Sequence, residues 1–162
     1  MGFRSIVSTL TLFILTQLPV QTLAQAAEVG SIEDRIAIQE KLLYAYAYTY
    51  DAKDCVSWSN LFTTDAVLDL GRGASRGRDA IREECITRQK NVVGNINTRH
   101  NMMNIVFDQL TPRRAATRTY VILTWQKPGD QTIAVQQAFT YRDVIVKSDD
   151  GRWLFKERKR VE

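Results

Sequence analysis

The chain is poor in the residues that build metal and redox sites. Its 162 residues include one histidine, His100, and two cysteines, Cys55 and Cys85. Structural and catalytic zinc sites need several Cys, His or acidic ligands at short spacing, and the sequence has no Cys-x-x-Cys pair and no second histidine. No nucleotide or flavin motif is evident either. The sequence therefore predicts no metal site and no cofactor.

Charge of one sign is not concentrated in a way that suggests a nucleic-acid partner. The 22 lysines and arginines exceed the 18 acidic residues by four. Much of this excess lies near the C-terminus, in Lys156, Arg158, Lys159 and Arg160. A nucleic-acid-binding face should combine clustered basic residues with interleaved aromatics. Since no such stripe occurs, we interpret these residues as a solvated last strand and expect no nucleic-acid partner.

Long apolar runs are absent except at the N-terminus. Arg4 precedes a mostly apolar stretch over residues 6–23, and small residues follow at 24–27. This pattern predicts a secretory signal peptide over residues 1–26 and a mature domain over 27–162. Polar residues and a proline interrupt the stretch, whereas a membrane-spanning helix needs about 20 predominantly apolar residues. We expect a secreted or otherwise exported protein with no stable membrane span after cleavage.

In an exported protein the two cysteines can form one disulfide. Cys55 falls at the edge of one predicted helix and Cys85 lies inside another. Pairing therefore requires those two helices to pack together. Two separately buried thiols explain the sequence equally well, so the pairing stays open here.

Hydrophobic periodicity predicts helices first and strands afterwards. Ser31 is a suitable N-cap for a helix that runs to about Lys53, because acidic residues follow it in the first turn. Further predicted elements are helices over 56–62 and 78–90, and strands over 66–70, 98–108, 115–126, 132–146 and 153–160. This order is typical of an α+β fold, with helices packed on one face of a curved, mostly antiparallel sheet. Such packing can leave a concave cavity between helix and sheet.

Six short segments accompany this order of elements. They are DRIAIQ (34–39), YDAKD (50–54), LFTTDA (61–66), RGRDAI (76–81), TRH (98–100), and YRD (141–143) followed by DGRW (150–153). Together they resemble the SnoaL-like branch of the nuclear transport factor 2-like superfamily, over essentially all of the mature chain. The resemblance implies a cone-shaped, strongly curved sheet with the N-terminal helices on its concave face. It also implies a homodimer formed through the outer face of the sheet.

The site pattern is most similar to that of scytalone dehydratases and hexachlorocyclohexane dehydrochlorinases. These enzymes have an Asp–His pair in the cone, and Asp51 and His100 match its two positions. The resemblance implies that Asp51 orients His100 as a general base. Tyr50, just before Asp51, matches a scytalone dehydratase tyrosine, and Tyr46 falls near a tyrosine that donates to an oxyanion in ketosteroid isomerases.

Two departures from these enzymes change what the resemblance implies. Leu70 falls at about the position of the catalytic base of ketosteroid isomerases, so that carboxylate is missing here. It would be present only if the register shifted by one residue to Asp69. Residues 124–126 read Thr-Trp-Gln where scytalone dehydratases carry a second pocket histidine. We therefore do not expect scytalone itself to be the substrate. The same departures favour an alternative, a non-catalytic protein that binds a small ligand in the cone, and a dimeric accessory protein of this fold is a further alternative.

Periodicity selects further candidates for the pocket. Tyr46 and Tyr50, four residues apart, share one helix face, although plain core packing fits them equally well. Period two in the strand places Met102 and Asn104 on the face of His100. The alternation does not fix whether Thr140 and Arg142, or Tyr141 and Asp143, face inward. The candidate substrate-binding residues are Tyr46, Tyr50, Met102, Asn104, Tyr120 and Arg142.

The sequence as a whole predicts an exported, cofactor-independent lyase, isomerase or cyclase. The resemblance implies a small hydrophobic substrate of polyketide- or terpenoid-like character. Asp51 and His100 would act on it by general acid/base proton transfer. The residues alone do not separate dehydration from isomerisation or cyclisation.

Overall fold

The computed structural model describes residues 1–2 and 29–162. The predicted signal peptide over residues 1–26 falls almost entirely outside the described residues, so it stays a prediction. Within the part of the chain that the structure describes, no helix is both long and apolar enough to cross a membrane.

The first helical segment begins at the predicted cap. The Ser31 hydroxyl accepts the backbone N–H of Asp34 at 3.1 Å, and the Asp34 carboxylate accepts the backbone N–H of Ser31 at 3.4 Å. This reciprocal capping box satisfies two amide groups that the first turn leaves unpaired. The segment continues as α1 (Ile32–Ile38), a π-helical stretch (Gln39–Tyr44) and α2 (Ala45–Asp51). Such π-helical interruptions are frequent near functional sites.

Two further helices are joined by a disulfide. Helix α3 spans Cys55–Ser59, and α4 spans Arg78–Arg88 before a π-helical stretch, Gln89–Val93. Cys55 and Cys85 are bonded, which settles the pairing that the sequence left open. A cross-link over 30 residues stabilises the fold by about 3–4 kcal/mol in the chain-entropy account.

Six strands form one mixed sheet. They are β1 (Phe62–Asp69), β2 (Ala74–Arg76), β3 (Asn97–Leu110), β4 (Arg114–Gln126), β5 (Ala134–Lys147) and β6 (Trp153–Val161). The order across the sheet is β2-β1-β6-β5-β4-β3, with β1 and β6 parallel and all other neighbours antiparallel. The predicted α+β fold is confirmed. Strand β2 was not predicted because three residues are too few to show a period.

The core fills the space between the helices and the concave face of the sheet. Alternate residues of β4 and β5 are buried there, including Val121, Leu123, Tyr141 and Ile145. Strand β3 forms one edge of the sheet, and α2 packs against it. The C-terminal end of α2 is thereby brought to the first residues of β3.

The prediction that the basic residues of the last strand are solvated is wrong for Arg158. Strand β6 lies between β1 and β5, so several of its side chains are buried, and Arg158 is fully buried. Its guanidinium donates two hydrogen bonds of 2.8 Å to the equally buried Asp143 carboxylate. The rings of Tyr46, Tyr141 and Phe155 surround the guanidinium at 4.1–4.2 Å. A buried cation is tolerated here because it is paired and stacked on aromatic faces.

Candidate active site

Asp51 and His100 form a direct pair at the junction of α2 and β3. The Asp51 Oδ1 atom lies 2.8 Å from His100 Nδ1. The exposed fraction is 7% for the His100 side chain and 9% for that of Asp51, so the pair is largely shielded from bulk water. Asp51 is the last residue of α2, and His100 is the fourth residue of β3. The structure thus brings together the two residues that the sequence predicted as a catalytic pair.

Two further donors fix the Asp51 carboxylate. The Thr98 hydroxyl donates to Oδ1 at 2.7 Å, and the backbone N–H of His100 donates to Oδ2 at 2.8 Å. Burial raises the pKa of Asp51, but the hydrogen bonds and charge of His100, with the Thr98 hydroxyl, outweigh it and hold that pKa below its ordinary value. Asp51 is therefore ionised at neutral pH and accepts three hydrogen bonds.

This arrangement decides which nitrogen of neutral His100 carries the hydrogen. An ionised carboxylate has no proton to donate, so His100 Nδ1 must be the donor toward Asp51. The other nitrogen, Nε2, then has a free lone pair. Within the residues that the structure describes, Nε2 makes no hydrogen bond. His100 is oriented to accept a proton at Nε2.

Tyr46 and Tyr50 lie on the cavity side of the pair, as their spacing predicted. The Tyr50 ring stands edge-on to the His100 ring, with centroids 5.2 Å apart. The buried Tyr50 hydroxyl has no hydrogen-bond partner in the described structure, and burial raises the pKa of Tyr50 to about 12. It remains a neutral phenol that can donate to a ligand. The Tyr46 hydroxyl instead lies 3.3 Å from that of Tyr141.

A narrow cavity opens beside His100 and the two tyrosines. Its remaining wall is mostly apolar, and the whole lining is Tyr46, Tyr50, Leu70, Arg72, Arg88, Val93, Thr98, His100, Leu123, Trp125, Gln137, Phe139, Tyr141 and Arg160. The free volume is about 30 Å³, enough for about one or two water molecules. A substrate therefore enters only if the side chains of the wall move apart.

Two predicted contacts on β3 lie outside the cavity. Met102 packs against the core and lines a separate surface groove, which Asp51 and His100 also line. Asn104 is exposed and has a positive φ of 51°, at a bulge between Met103 and Val106. The bulge adds a residue and reverses which side chains face inward. The placement of Asn104 beside His100 is therefore wrong.

Two predicted contacts on the neighbouring strands point away from the cavity. Tyr120 is 53% exposed, and Arg142 is exposed as well. In β5 the inward pair is Tyr141 and Asp143, which settles the alternation that the sequence left open. Because side chains alternate in a strand, Tyr120, next to the buried Val121, and Arg142, between Tyr141 and Asp143, face outward. Their placement in the pocket is corrected accordingly.

Sequence reasoning missed several residues of the site. The period of two in the strand places Thr98 on the face of His100. It does not predict the hydrogen bond from the Thr98 hydroxyl to Asp51. The arginines of the lining come from a turn, a helix and the last strand, so no local pattern connects Arg72, Arg88 and Arg160. Within the described residues no group of three or more His, Cys, Asp or Glu side chains is placed to hold a metal ion.

Comparison with known proteins assigns the chain to a family. Residues 30–159 match the model of the SnoaL-like domain. No curated protein matches the chain. The resemblance to the SnoaL-like branch of the nuclear transport factor 2-like superfamily is therefore confirmed at the level of family and fold.

Three similar solved structures come from Novosphingobium aromaticivorans. A protein provisionally named an aromatic ring hydroxylase is 28% identical, with 80% of this chain and 89% of that chain covered and a TM-score of 0.66. One provisionally named a scytalone dehydratase is 23% identical, with 80% and 83% covered and a TM-score of 0.66. A nuclear transport factor 2-like protein with a cystatin-like fold is 19% identical, with 80% and 81% covered and a TM-score of 0.69. These different names show that the fold does not fix a reaction. The chain belongs to the SnoaL-like domain family, which includes polyketide cyclases and dehydratases.

Proposed function

We propose that this protein is a cofactor-independent enzyme that moves a proton on a small hydrophobic metabolite. The reaction class is that of a lyase, isomerase or cyclase, with a polyketide- or terpenoid-like substrate. The observation that carries the proposal is the 2.8 Å contact between Asp51 and His100, whose side chain lines a narrow cavity. An ionised carboxylate on one ring nitrogen leaves the other free to act as a general base.

The chemical step uses only groups of this chain. His100 Nε2 takes a proton from a carbon next to a carbonyl, and the C–H electron pair moves into the carbonyl, giving an enolate. The Tyr50 hydroxyl donates to the enolate oxygen, and Asp51 stabilises the imidazolium. His100 then returns the proton. If it goes to a β-hydroxyl, the C–O bond breaks and water leaves; if it goes to another carbon, the product is an isomer.

A second candidate is a non-catalytic protein that binds a small hydrophobic ligand in the same cavity. The apolar wall favours it, because Leu70, Val93 and Leu123 line the space beside His100. No carboxylate lies in the lining to act as a second acid or base. Among the described residues of the cavity, His100 is therefore the one candidate for a general base.

Deuterium incorporation distinguishes these candidates. A panel of β-hydroxy ketones would be incubated in D₂O with the wild type and with His100→Gln, and C–H exchange and water loss followed by NMR. A positioned general base is worth about 10²–10⁴-fold in rate, so we expect exchange by the wild type and a loss of this size in the variant. If probes bind but exchange no faster than in buffer, the binding protein is the better account. Equal exchange by both proteins would also contradict the proposal.

We further propose that the protein is exported and forms a homodimer. The signal-peptide pattern of residues 1–26 supports export. Exposed apolar side chains on the outer face of the sheet, Met103, Val106 and Tyr120, support self-association. N-terminal sequencing of the secreted protein and analytical ultracentrifugation test the two points. An uncleaved N-terminus or a monomer at micromolar concentration would contradict them.

A further inference from the structure

Three arginines converge on the cavity that contains His100. Arg72 comes from the turn between β1 and β2, Arg88 is the last residue of α4, and Arg160 lies near the end of β6. Of the fourteen side chains that line the cavity, these three are cationic and none is a carboxylate. A mostly apolar space that collects three guanidinium groups has an excess of positive charge where a substrate would lie.

The charge of these arginines is only partly neutralised. Arg72 pairs with Glu84 at 3.1 Å, and its side chain is 39% exposed. Arg88 is half-buried and makes no ion pair within the described residues. Burial raises the pKa of Tyr50 to about 12, and the positive charges of Arg88 and Arg72 act in the opposite direction. The two cations are therefore close enough to the Tyr50 hydroxyl to influence it.

Arg160 has neutral partners. Its guanidinium donates to the Gln137 amide oxygen at 2.8 Å and lies 4.5 Å from the centre of the Phe139 ring. Neither contact supplies a negative charge to the Arg160 guanidinium. The planar fork of guanidinium donors matches a carboxylate in two-point contact.

Two of the three arginines also lie at the protein surface. Arg72 and Arg160 also line a surface depression of this end of the sheet, together with Leu70 and Glu162. Glu162 is exposed and forms no ion pair within the described residues. Since two arginines border both the outer depression and the cavity, an anion entering from solvent meets them before it reaches His100.

We propose that the substrate is a carboxylic acid with an apolar body, whose carboxylate is held by Arg88 and Arg160 while its reacting carbon faces His100. Arg72 guides the anion at the entrance. The rest of the wall, Leu123 and Phe139 among it, contacts the apolar body. This inference rests on the proposed function, and it replaces a purely hydrophobic substrate by an amphipathic anion.

Binding measurements test the anion subsite without the natural substrate. Isothermal titration calorimetry would compare benzoate and 1-naphthoate with their uncharged methyl esters. The variants are Arg88→Gln and Arg160→Gln, and the matched control is Arg82→Gln, an exposed arginine on the same helix. We expect the wild type to prefer the carboxylates by at least tenfold. A charged hydrogen bond to a ligand accounts for about a ten- to hundredfold change in Kd, so either cavity variant should remove the preference and leave ester binding unchanged.

Several results would overturn the inference. Equal affinity for acid and ester, or no binding of either carboxylate, excludes the subsite. An equal loss in Arg82→Gln shows that overall charge, and not the cavity, attracts the anion. Circular dichroism of each variant confirms that it is folded, and a variant that does not fold is replaced by the conservative change Arg88→Lys or Arg160→Lys, which keeps the charge and loses the fork.

The outcome can be separated from that of the proposed function. If the proton transfer is wrong and the subsite is right, the arginine-dependent preference persists in His100→Gln and no probe exchanges deuterium. If the proton transfer is right and the subsite is wrong, neutral probes exchange in a His100-dependent way without preference for acids.

Discussion

Replacing Asp51 by asparagine should reverse the tautomer of His100. The carboxylate accepts from three donors: the Thr98 hydroxyl and His100 Nδ1 at Oδ1, and the His100 backbone N–H at Oδ2. Asparagine must place its NH₂ group at one of these two positions. At the Oδ2 position it would oppose a backbone N–H, which cannot become an acceptor. At the Oδ1 position it meets a hydroxyl and a ring nitrogen, and both can become acceptors.

The arrangement with the asparagine NH₂ group at the Oδ1 position therefore has the lower energy. It requires His100 Nδ1 to accept, so the hydrogen moves to Nε2 and the base is lost from the cavity side. In the Ser-His-Asp triad the equivalent Asp→Asn change costs about 10⁴-fold in kcat through the wrong tautomer. We expect a loss of similar order in any proton transfer that this chain performs. Loss of charge-assisted hydrogen bonds should also lower the free energy of unfolding by about 1–3 kcal/mol.

The single histidine makes this prediction directly measurable. Selective ¹⁵N labelling of histidine gives the ring signals of His100 without assignment, and their chemical shifts identify the protonated nitrogen. We expect Nδ1–H in the neutral wild type and Nε2–H in Asp51→Asn. The reasoning is refuted if the wild type is Nε2–H, or if both proteins show the same tautomer. Asp54→Asn is the matched control, because Asp54 caps α3 and lies outside the pair.

Three other predictions concern single features of the structure. Tyr50→Phe should lower proton transfer by about 10²–10³-fold, as for loss of an oxyanion donor, without lowering the free energy of unfolding, because its hydroxyl has no partner. The double variant Cys55→Ser/Cys85→Ser should lose about 3–4 kcal/mol in urea unfolding, since it opens the cross-linked loop. The pKa of Asp51 is depressed by folding, so its stabilising contribution is present above about pH 4 and is lost as the pH falls further. The difference in unfolding free energy between wild type and Asp51→Asn should therefore shrink from pH 5 to pH 3.

Each of these predictions has a control. Tyr46→Phe breaks a contact between two hydroxyls and should destabilise the fold, so equal unfolding free energies for both tyrosine variants would count against the assignment of Tyr50. Reduction of the wild type should reproduce the stability of the cysteine variant. A difference between wild type and Asp51→Asn that stays constant from pH 5 to pH 3 would show that folding does not shift the Asp51 titration.

Most of the fold was predictable because long periodic segments dominate it. The capped first helix and the four long strands follow from spacing of 3.6 and 2. Strand β2 is too short for either period. The bulge at Asn104 carries no local signal, so the facing of side chains beyond Met103 was assigned wrongly. The burial of Arg158 depends on β6 lying between two strands, which is a property of the sheet order and not of the segment.

The candidate site was predictable only in part. Asp51 and His100 were found through the family pair, because no periodicity connects the end of a helix to a strand that begins 46 residues later. Tyr50 followed from helical spacing. The facing of Tyr120 and Arg142 could not be fixed, because alternation gives two phases and only the packed sheet selects one. The arginines of the cavity meet through tertiary packing alone.

The most direct test of the account compares solvent deuterium exchange at carbon for three proteins, the wild type, His100→Gln and Asp51→Asn, with one probe that the wild type turns over. The account predicts that exchange falls by about 10²–10⁴-fold without His100, and by a similar order when Asp51 can no longer hold the tautomer. Exchange that survives in either variant at the wild-type rate would contradict the claim that Asp51 orients His100 as the base.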